Sequence, residues 1–124
     1  MRKIKFRAWD KKNNIMEEDV HKSDIFYDMT ALPDYYHVMQ FTGLLDRNGK
    51  EIYEGDILKV MDRAISAIPS EVDPNSYMLS IVEYYGGQFD ARVVGTGGSW
   101  HWHAWHKAEI IGIIYENNEL TALN

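Results

Sequence analysis

The amino-acid sequence predicts a mainly β fold, a β-rich α+β domain built from short antiparallel strands. Turn chemistry is the first reason. Residues 10–14, 46–49 and 86–87 are rich in Asp, Asn and Gly, and each segment separates two short strand-like runs. Alternation is the second reason, because polar and apolar residues take turns along residues 3–9, as they do in a half-buried strand. Together these features predict a series of antiparallel hairpins.

The strands follow in order along the chain. They are predicted at residues 3–9, 15–17, 38–42, 52–53, 57–61, 77–85, 88–94 and 110–115. In the first strand, Ile4, Phe6 and Ala8 share one face. Gly112 interrupts the last strand, and a glycine there indicates a bulge or a close approach of another part of the chain.

Helix is expected only in short segments between or after the strands. Residues 18–37 are ambiguous, and within them residues 24–32 are compatible with a strand or a short helix, which Pro33 would end. Residues 62–76 contain Pro69 and Pro74 and are interpreted as a loop or insertion. The C-terminal tail is compatible with one helical turn.

The centre of the chain is similar to the core of small SH3-like barrels. Residues 54–60 begin with a Gly-Asp turn that opens a strand, a variable insertion follows, and residues 81–89 contain a tight hairpin. Short, strongly bent strands close such barrels, and glycines lie at the bends. The resemblance implies an SH3-like small antiparallel barrel core, with an additional N-terminal hairpin and short helical segments. Function in such folds lies in the loops, so the fold alone assigns none.

Length and composition limit the classes of protein. The chain has 124 residues, of which 45% are hydrophobic, and we expect residues 1–124 to form a single domain. It contains no cysteine, which excludes a disulfide framework, a thiolate nucleophile and a cysteine zinc site. No apolar run approaches the roughly 20 residues that span a bilayer, and no signal-peptide core follows the basic N-terminus. We therefore expect a cytoplasmic location in a host cell and no membrane partner.

The net charge of −6 makes nucleic acid a weaker candidate partner, because a general nucleic-acid binder needs a basic face to displace counterions from phosphate. The N-terminus is the exception. Its four basic residues are Arg2, Lys3, Lys5 and Arg7. They could contact phosphate, but the favoured interpretation is that they are the solvated positions of an edge strand, where basic side chains prevent edge-to-edge pairing.

Three blocks of the sequence, at both ends and in the middle, form a specific pattern. They are residues 2–10, residues 39–57 and residues 110–117. They resemble the YopX family, which is encoded by bacteriophages and prophages, chiefly of Gram-positive bacteria. Two positions depart from the family, with Ile113 in place of the usual Asn and Asn118 in place of the usual Pro. The resemblance implies a β-rich phage protein of uncharacterised function, and it supplies no catalytic residues.

Residues 100–106 form the most chemically suggestive cluster, with three tryptophans and three histidines. His101, His103 and His106 could hold a divalent metal ion. In a strand His101 and His103 share one face, and in a helix His103 and His106 lie one turn apart, so neither conformation gathers all three. A further ligand would have to come from elsewhere, for example His37, Asp90 or Glu109. The alternative interpretation is an amphipathic aromatic strand whose tryptophans pack and whose histidines lie at the rim.

The same cluster can also be interpreted as a binding surface. Tryptophans supply large contact areas at low entropic cost and recur at interface hot spots. The candidate patch consists of Trp9, Trp100, Trp102 and Trp105, extended by Tyr77, Tyr84 and Tyr85. We expect it to contact a second subunit or a partner protein. Stacking on single-stranded bases is the other use, and burial in the core is the alternative for each ring.

Other catalytic patterns are absent from the sequence, which contains no Gly-rich phosphate loop followed by Lys-Ser or Lys-Thr. Glu54 and Asp56 form a carboxylate pair beside a turn. Aspartate at such a position usually caps the turn through the backbone, and Asp10, Asp46 and Asp73 have the same interpretation. The sequence therefore predicts no catalytic residues among the carboxylates.

Three functions remain open from the sequence. The favoured one is a non-enzymatic phage or prophage accessory protein, a homo-oligomeric β module that binds an unidentified phage or host protein. The second is a metal-dependent hydrolase that acts on nucleotides or nucleic acid and is built around His101 and His103. Of the three functions, only this one requires a cofactor, a divalent metal ion. The third is a small-barrel nucleic-acid-binding protein that uses the basic first strand and the tryptophans.

Overall fold

The computed structural model describes residues 4–18, 36–96, 98–100 and 102–121, without the side chains of Trp102, His103 and Thr121. About half of the described residues lie in strands, and the curled antiparallel sheets form a half-barrel, so the mainly β prediction is confirmed. The strands are β1 (Phe6–Asp10), β2 (Ile15–Glu17), β3 (Tyr36–Leu45), β4 (Glu51–Tyr53), β5 (Asp56–Met61), β6 (Tyr77–Tyr85), β7 (Gln88–Val93), β8 (Ser99–Trp100) and β9 (Glu109–Ile113).

Two sheets make up this architecture. One has the order β2-β1-β3-β4 and the other the order β8-β7-β6-β5-β9. The β6–β7 hairpin pairs Tyr85 with Gln88, and its turn residues Gly86 and Gly87 have φ values of 63° and 87°. Both angles lie in the left-handed region that two-residue hairpin turns require and glycine adopts without strain. The predicted two-residue turn is therefore confirmed.

The position of β1 corrects the interpretation of the basic N-terminus. This strand pairs with β2 on one side and with β3 on the other, so it is not an edge strand. Arg7 is buried rather than solvated, and Lys5 forms an ion pair with Glu51. Alternation places Arg7 on the face opposite Phe6, but the strand is covered on both faces. Arg2 and Lys3 lie outside the described residues.

The helical segments are short. They are the α-helix α1 (Asp62–Ile65) and the 3₁₀ helices Pro69–Glu71, Trp102–Lys107 and Asn118–Thr121. Three of them lie in the loop 62–76 or near the C-terminus, where helix was expected. Most of the ambiguous segment 18–37 lies outside the described residues. No helix in the described part of the chain is long and apolar enough to cross a membrane.

The segment Trp102–Lys107 corrects the interpretation of the tryptophan–histidine cluster. The cluster is neither a continuous strand nor an α-helix, because β8 ends at Trp100 and a 3₁₀ helix follows. The tighter 3₁₀ turn places Trp105 in the main core, where it is fully buried. At the end of the turn, the Ala108 N–H donates to the Trp105 carbonyl.

The main core joins the five-stranded sheet to Ile52 of β4 and to the 3₁₀ helix around Trp105. Its buried residues are Ile52, Leu58, Val60, Val82, Phe89, Ala91, Trp105 and Ala108. A second cluster contains Trp9, Met39 and Ile113, which come from β1, β3 and β9 and so span both sheets. Apolar contacts thus join the sheets as well as filling each one.

The sequence predicts a bulge or a close approach of another part of the chain at Gly112, and the structure contains both. The register between β5 and β9 shifts between Ile57 and Leu58, which leaves Ile111 as the extra residue. A Cβ on Gly112 would lie 2.5 Å from Asn117 Oδ1 and 2.8 Å from its Cγ. The same Oδ1 accepts a hydrogen bond from the Ile113 N–H at 3.1 Å. The glycine therefore allows Asn117 to cover the end of β9.

We expect Gly112→Ala to lower the free energy of unfolding by about 1–3 kcal/mol, because the added methyl group overpacks against Asn117. Urea unfolding followed by tryptophan fluorescence measures the change. Gly98→Ala is the matched control, since its Cβ would meet only Thr96 Oγ1 at 3.4 Å. The control should shift stability by less than about 0.5 kcal/mol. Equal effects of the two substitutions would contradict the role of Gly112.

Candidate functional site

A buried ion pair joins the two sheets. Arg7 lies on β1 and Asp56 is the first residue of β5. Their Nη2 and Oδ1 atoms are 2.6 Å apart, and the two side chains are 8% and 1% exposed. Asp56 Oδ2 accepts a hydrogen bond from the Tyr53 N–H at 2.8 Å, while the guanidinium carbon lies 4.5 Å from the centre of the Tyr53 ring. Asp56 therefore caps the turn before β5, as predicted, and also binds a distant strand.

Burial shifts the ionisation of both carboxylates at this turn. It raises the pKa of Asp56, and the Arg7 guanidinium and the Tyr53 N–H offset part of that rise. Burial also raises the pKa of Glu54. The hydrogen bond that the Gln40 N–H donates to Glu54 Oε1 at 2.9 Å lowers this pKa but does not cancel the rise. The sequence pattern does not indicate either shift, because both depend on packing between distant strands. Both side chains hold backbone groups in place, which fits the turn-capping interpretation.

A cavity of about 540 Å³ lies over the ion pair, beside β4 and β9. Its charged lining residues are Arg7, Glu18, Lys50, Glu51, Asp56 and Glu116. Tyr53 and the bulge of β9 supply the less polar part of the wall. Among the described residues, four carboxylates and two cations thus face one cleft. No motif of the sequence indicates this cluster, because its members come from five separate parts of the chain.

Side chains cover the free edge of β9 on both sides of this cavity. Asp46 Oδ2 accepts a hydrogen bond from the Ile110 N–H at 3.0 Å, and Asn117 covers the Ile113 N–H. Burial opposes the charge of Asp46, but the N–H groups of Ile110, Lys50 and Asn48 together outweigh it and lower the pKa of Asp46. Asp46 therefore caps its own turn, as predicted, and also blocks strand addition at this edge.

The structure separates the tryptophans of the predicted patch. Trp105 and Trp9 are 0% and 5% exposed and belong to different core clusters. Trp100 is half-buried, and its Nε1–H donates to Ser80 Oγ at 2.7 Å. The side chain of Trp102 lies outside the description. In the described conformation, the rings of Trp9, Trp100 and Trp105 do not form one exposed surface.

The predicted metal ligands are described only in part. His106 is exposed, whereas His101 and the side chain of His103 lie outside the description. His37, one possible further ligand, stacks on Tyr115 with ring centres 3.9 Å apart, and burial lowers its pKa. Among the residues that the structure describes, no group of three or more His, Asp or Glu side chains is placed to hold a metal ion.

Two exposed tyrosines lie together at the tip of the β6–β7 hairpin, whereas the exposed Tyr77 lies at the other end of β6. Tyr84 and Tyr85 are 54% and 79% exposed, and we call residues 84–87 the tyrosine hairpin. The Tyr84 ring packs edge-on against Phe89 with ring centres 5.0 Å apart. Grooves of about 340, 250 and 330 Å³ adjoin the hairpin, and each is lined by Tyr84, Tyr85 or both. The two tyrosines thus project from the surface, and grooves lie beside them.

We expect Trp105→Ala to lower the free energy of unfolding by roughly 3–5 kcal/mol, because it empties a fully buried site. Trp105→Phe should cost less, since it keeps an aromatic ring and removes an indole N–H that has no hydrogen-bond partner among the described residues. Thermal and urea unfolding of the two variants measure the difference. A Trp105→Ala protein that is as stable as wild type but dissociates into smaller species would instead place this ring at a subunit contact.

Comparison with known proteins supports the fold and assigns the family. The YopX protein family model matches residues 5–122. Protein EF1440 from Enterococcus faecalis has a similar crystal structure, with a TM-score of 0.64, 23% identity and 100% coverage of both chains. Protein yopX from Bacillus subtilis is also similar, with a TM-score of 0.56, 21% identity and coverage of 98% of this chain and 97% of that one. No curated protein matches the chain. The family model covers nearly the whole chain, so this protein belongs to the YopX family.

Proposed function

We propose that this YopX-family protein is a non-enzymatic accessory protein of a phage or prophage, and that it acts in the host cytoplasm as a homo-oligomer that binds another protein. The exposure of Tyr84 and Tyr85 on the tyrosine hairpin supports this proposal most directly. Tyrosine is enriched at binding hot spots, because it offers a large, rigid ring and a hydroxyl group. Neighbouring apolar groups that are exposed together mark interaction surfaces, whereas single exposed apolar residues do not.

The hairpin holds its tyrosines in a defined position. Tyr84 pairs with Phe89 across the strands, and Tyr85 pairs with Gln88 next to the turn. The edge-on contact with Phe89 further restricts the Tyr84 ring. A preorganised side chain loses little conformational freedom on binding, which favours affinity. The surface therefore suits a binding role without any rearrangement of the fold.

Charge favours a protein partner over nucleic acid. Arg7 is buried against Asp56 and Lys5 is paired with Glu51, so these members of the basic N-terminus are already engaged. On the strands that carry the hairpin, Arg92 pairs with Glu83 at 2.9 Å. Stacking on single-stranded bases normally needs unpaired cations beside the rings. The described residues likewise offer no metal-binding group that would favour the hydrolase alternative.

The edge strand β2 is the surface that we assign to self-association. This strand has only three residues and pairs on one side with β1. Ile15 on β2 and Ile4 just before β1 are 54% and 53% exposed. A closed homo-oligomer would bury these apolar groups and cover the edge of the sheet.

We expect a Tyr84→Ser/Tyr85→Ser double variant to lose partner affinity by roughly 30-fold or more, the effect of losing one hot spot. Tagged wild-type protein captures the partner from a lysate of phage-infected host cells. The purified partner is then titrated against each variant by calorimetry. Tyr77→Ser is the matched control, because Tyr77 is 52% exposed at the other end of β6. Unchanged affinity of the double variant, with its fold intact, would contradict the proposal.

We expect light scattering to give a mass above that of one 14.4 kDa chain, and Ile15→Glu to shift the protein toward the monomer. The charge would have to be buried at the contact, which is unfavourable. Because Ile15 is exposed in the single chain, the variant should keep the wild-type unfolding temperature of the monomer. A wild-type protein that is monomeric at high concentration would exclude the homo-oligomer.

A further inference from the structure

We propose that the cavity over the Arg7–Asp56 ion pair binds a small amino-carboxylate, a zwitterion with one carboxylate and one ammonium group. The inference is independent of the protein-binding proposal, because no residue of the tyrosine hairpin lines this cavity. The volume of about 540 Å³ lies within the range of small-molecule sites. The open cleft, the buried ion pair in its wall and the mixture of charges support the assignment.

The inner end of the cavity suits a carboxylate. Arg7 lines it and is only 7% exposed. Within the described residues, the hydrogen bonds of its guanidinium all come from Nη2, and the buried Nε–H has no partner. Lys50 also lines the cavity and acts electrostatically on Asp56, so both cations of the cleft lie near this carboxylate. A ligand carboxylate can bind these two cations, and a small rotation of the guanidinium would give the Nε–H an acceptor.

The outer wall of the cavity suits an ammonium group. Of its carboxylates, Asp56 uses both oxygens within the protein, and both oxygens of Glu51 accept from Lys5 Nζ, at 2.8 and 3.0 Å. Glu18 and Glu116 are exposed and form no ion pair with the described residues. They can accept hydrogen bonds from a ligand ammonium group. Because the four carboxylates outnumber the two cations, the cleft disfavours a ligand of net negative charge such as phosphate, whereas a zwitterion carries no net charge.

The edge of β9 forms a further part of the wall. Ile111 and Gly112 line the cavity, and Asp46 and Asn117 accept hydrogen bonds from neighbouring N–H groups of this edge, which excludes an added β-strand. A small molecule therefore fits this position better than an extended peptide. The apolar Ile111 can contact the carbon skeleton of such a ligand.

Two-dimensional NMR titration of the wild-type chain tests the site. The probes are the proteinogenic L-amino acids, first mixed and then alone, with acetate, methylammonium and inorganic phosphate as comparisons. We expect one or more amino acids to shift the Arg7 Nε–H signal and the Gly112 amide at millimolar concentration. Acetate and methylammonium should each bind at least roughly tenfold more weakly, because each makes half of the charged contacts.

Two variants outside the buried ion pair separate the two ends of the site. Lys50→Met should weaken both the amino acid and acetate by roughly tenfold, whereas Glu116→Gln should weaken the amino acid and leave acetate unchanged. Lys12→Met, in the exposed β1–β2 turn, is the control and should bind as wild type. The proposal is overturned if no amino acid shifts these signals or if acetate binds as tightly as every amino acid. Tighter binding of phosphate, or unchanged binding by both variants, would also overturn it.

Discussion

The ion pair between Arg7 and Asp56 is the contact on which the arrangement of the two sheets depends. It connects β1, an inner strand of one sheet, to β5, an inner strand of the other. The chain passes between these sheets at the turn of Glu54 and Gly55, and Asp56 holds that turn through the Tyr53 N–H. A buried ion pair adds little net stability, but removing one partner leaves an uncompensated charge. The pair therefore fits one relative position of the sheets, alongside the apolar contacts of Trp9, Met39 and Ile113 that also span them.

The same junction produces the cavity. The turn at Gly55 is tightly packed, since its φ is 85° and an added Cβ would lie 3.0 Å from Met39 Sδ. Beside it, β9 is an edge strand that must be protected without a further strand, and Asp46 and Asn117 provide this protection from two different loops. The space between these two covers stays open above the ion pair. The placement of Asp46 and Asn117 along β9 thus protects the edge of the sheet and also leaves the polar cleft open between them.

The hairpins could be predicted from the sequence because their determinants are local. The glycines at 86–87 and the Asp and Gly of residues 46–49 specify turns that the structure contains, and β6 has the predicted bounds. The role of Arg7 could not be predicted, because alternation identifies its face but not what covers that face. The bond from Asp46 to Ile110 spans 64 residues and leaves no local pattern. The SH3-like character of the barrel stays a prediction.

The aromatic residues show why composition alone could not locate a surface. Trp105 and Trp9 lie in the core, where each large aromatic ring buries a large apolar area. Tyr84 and Tyr85 are the last two residues of β6 before the two-residue turn, and both are exposed there. Their hydroxyl groups make this exposure acceptable in water. The aromatic surface available to a partner therefore follows from the position of the β6–β7 turn beyond the core, and not from the density of tryptophan along the chain.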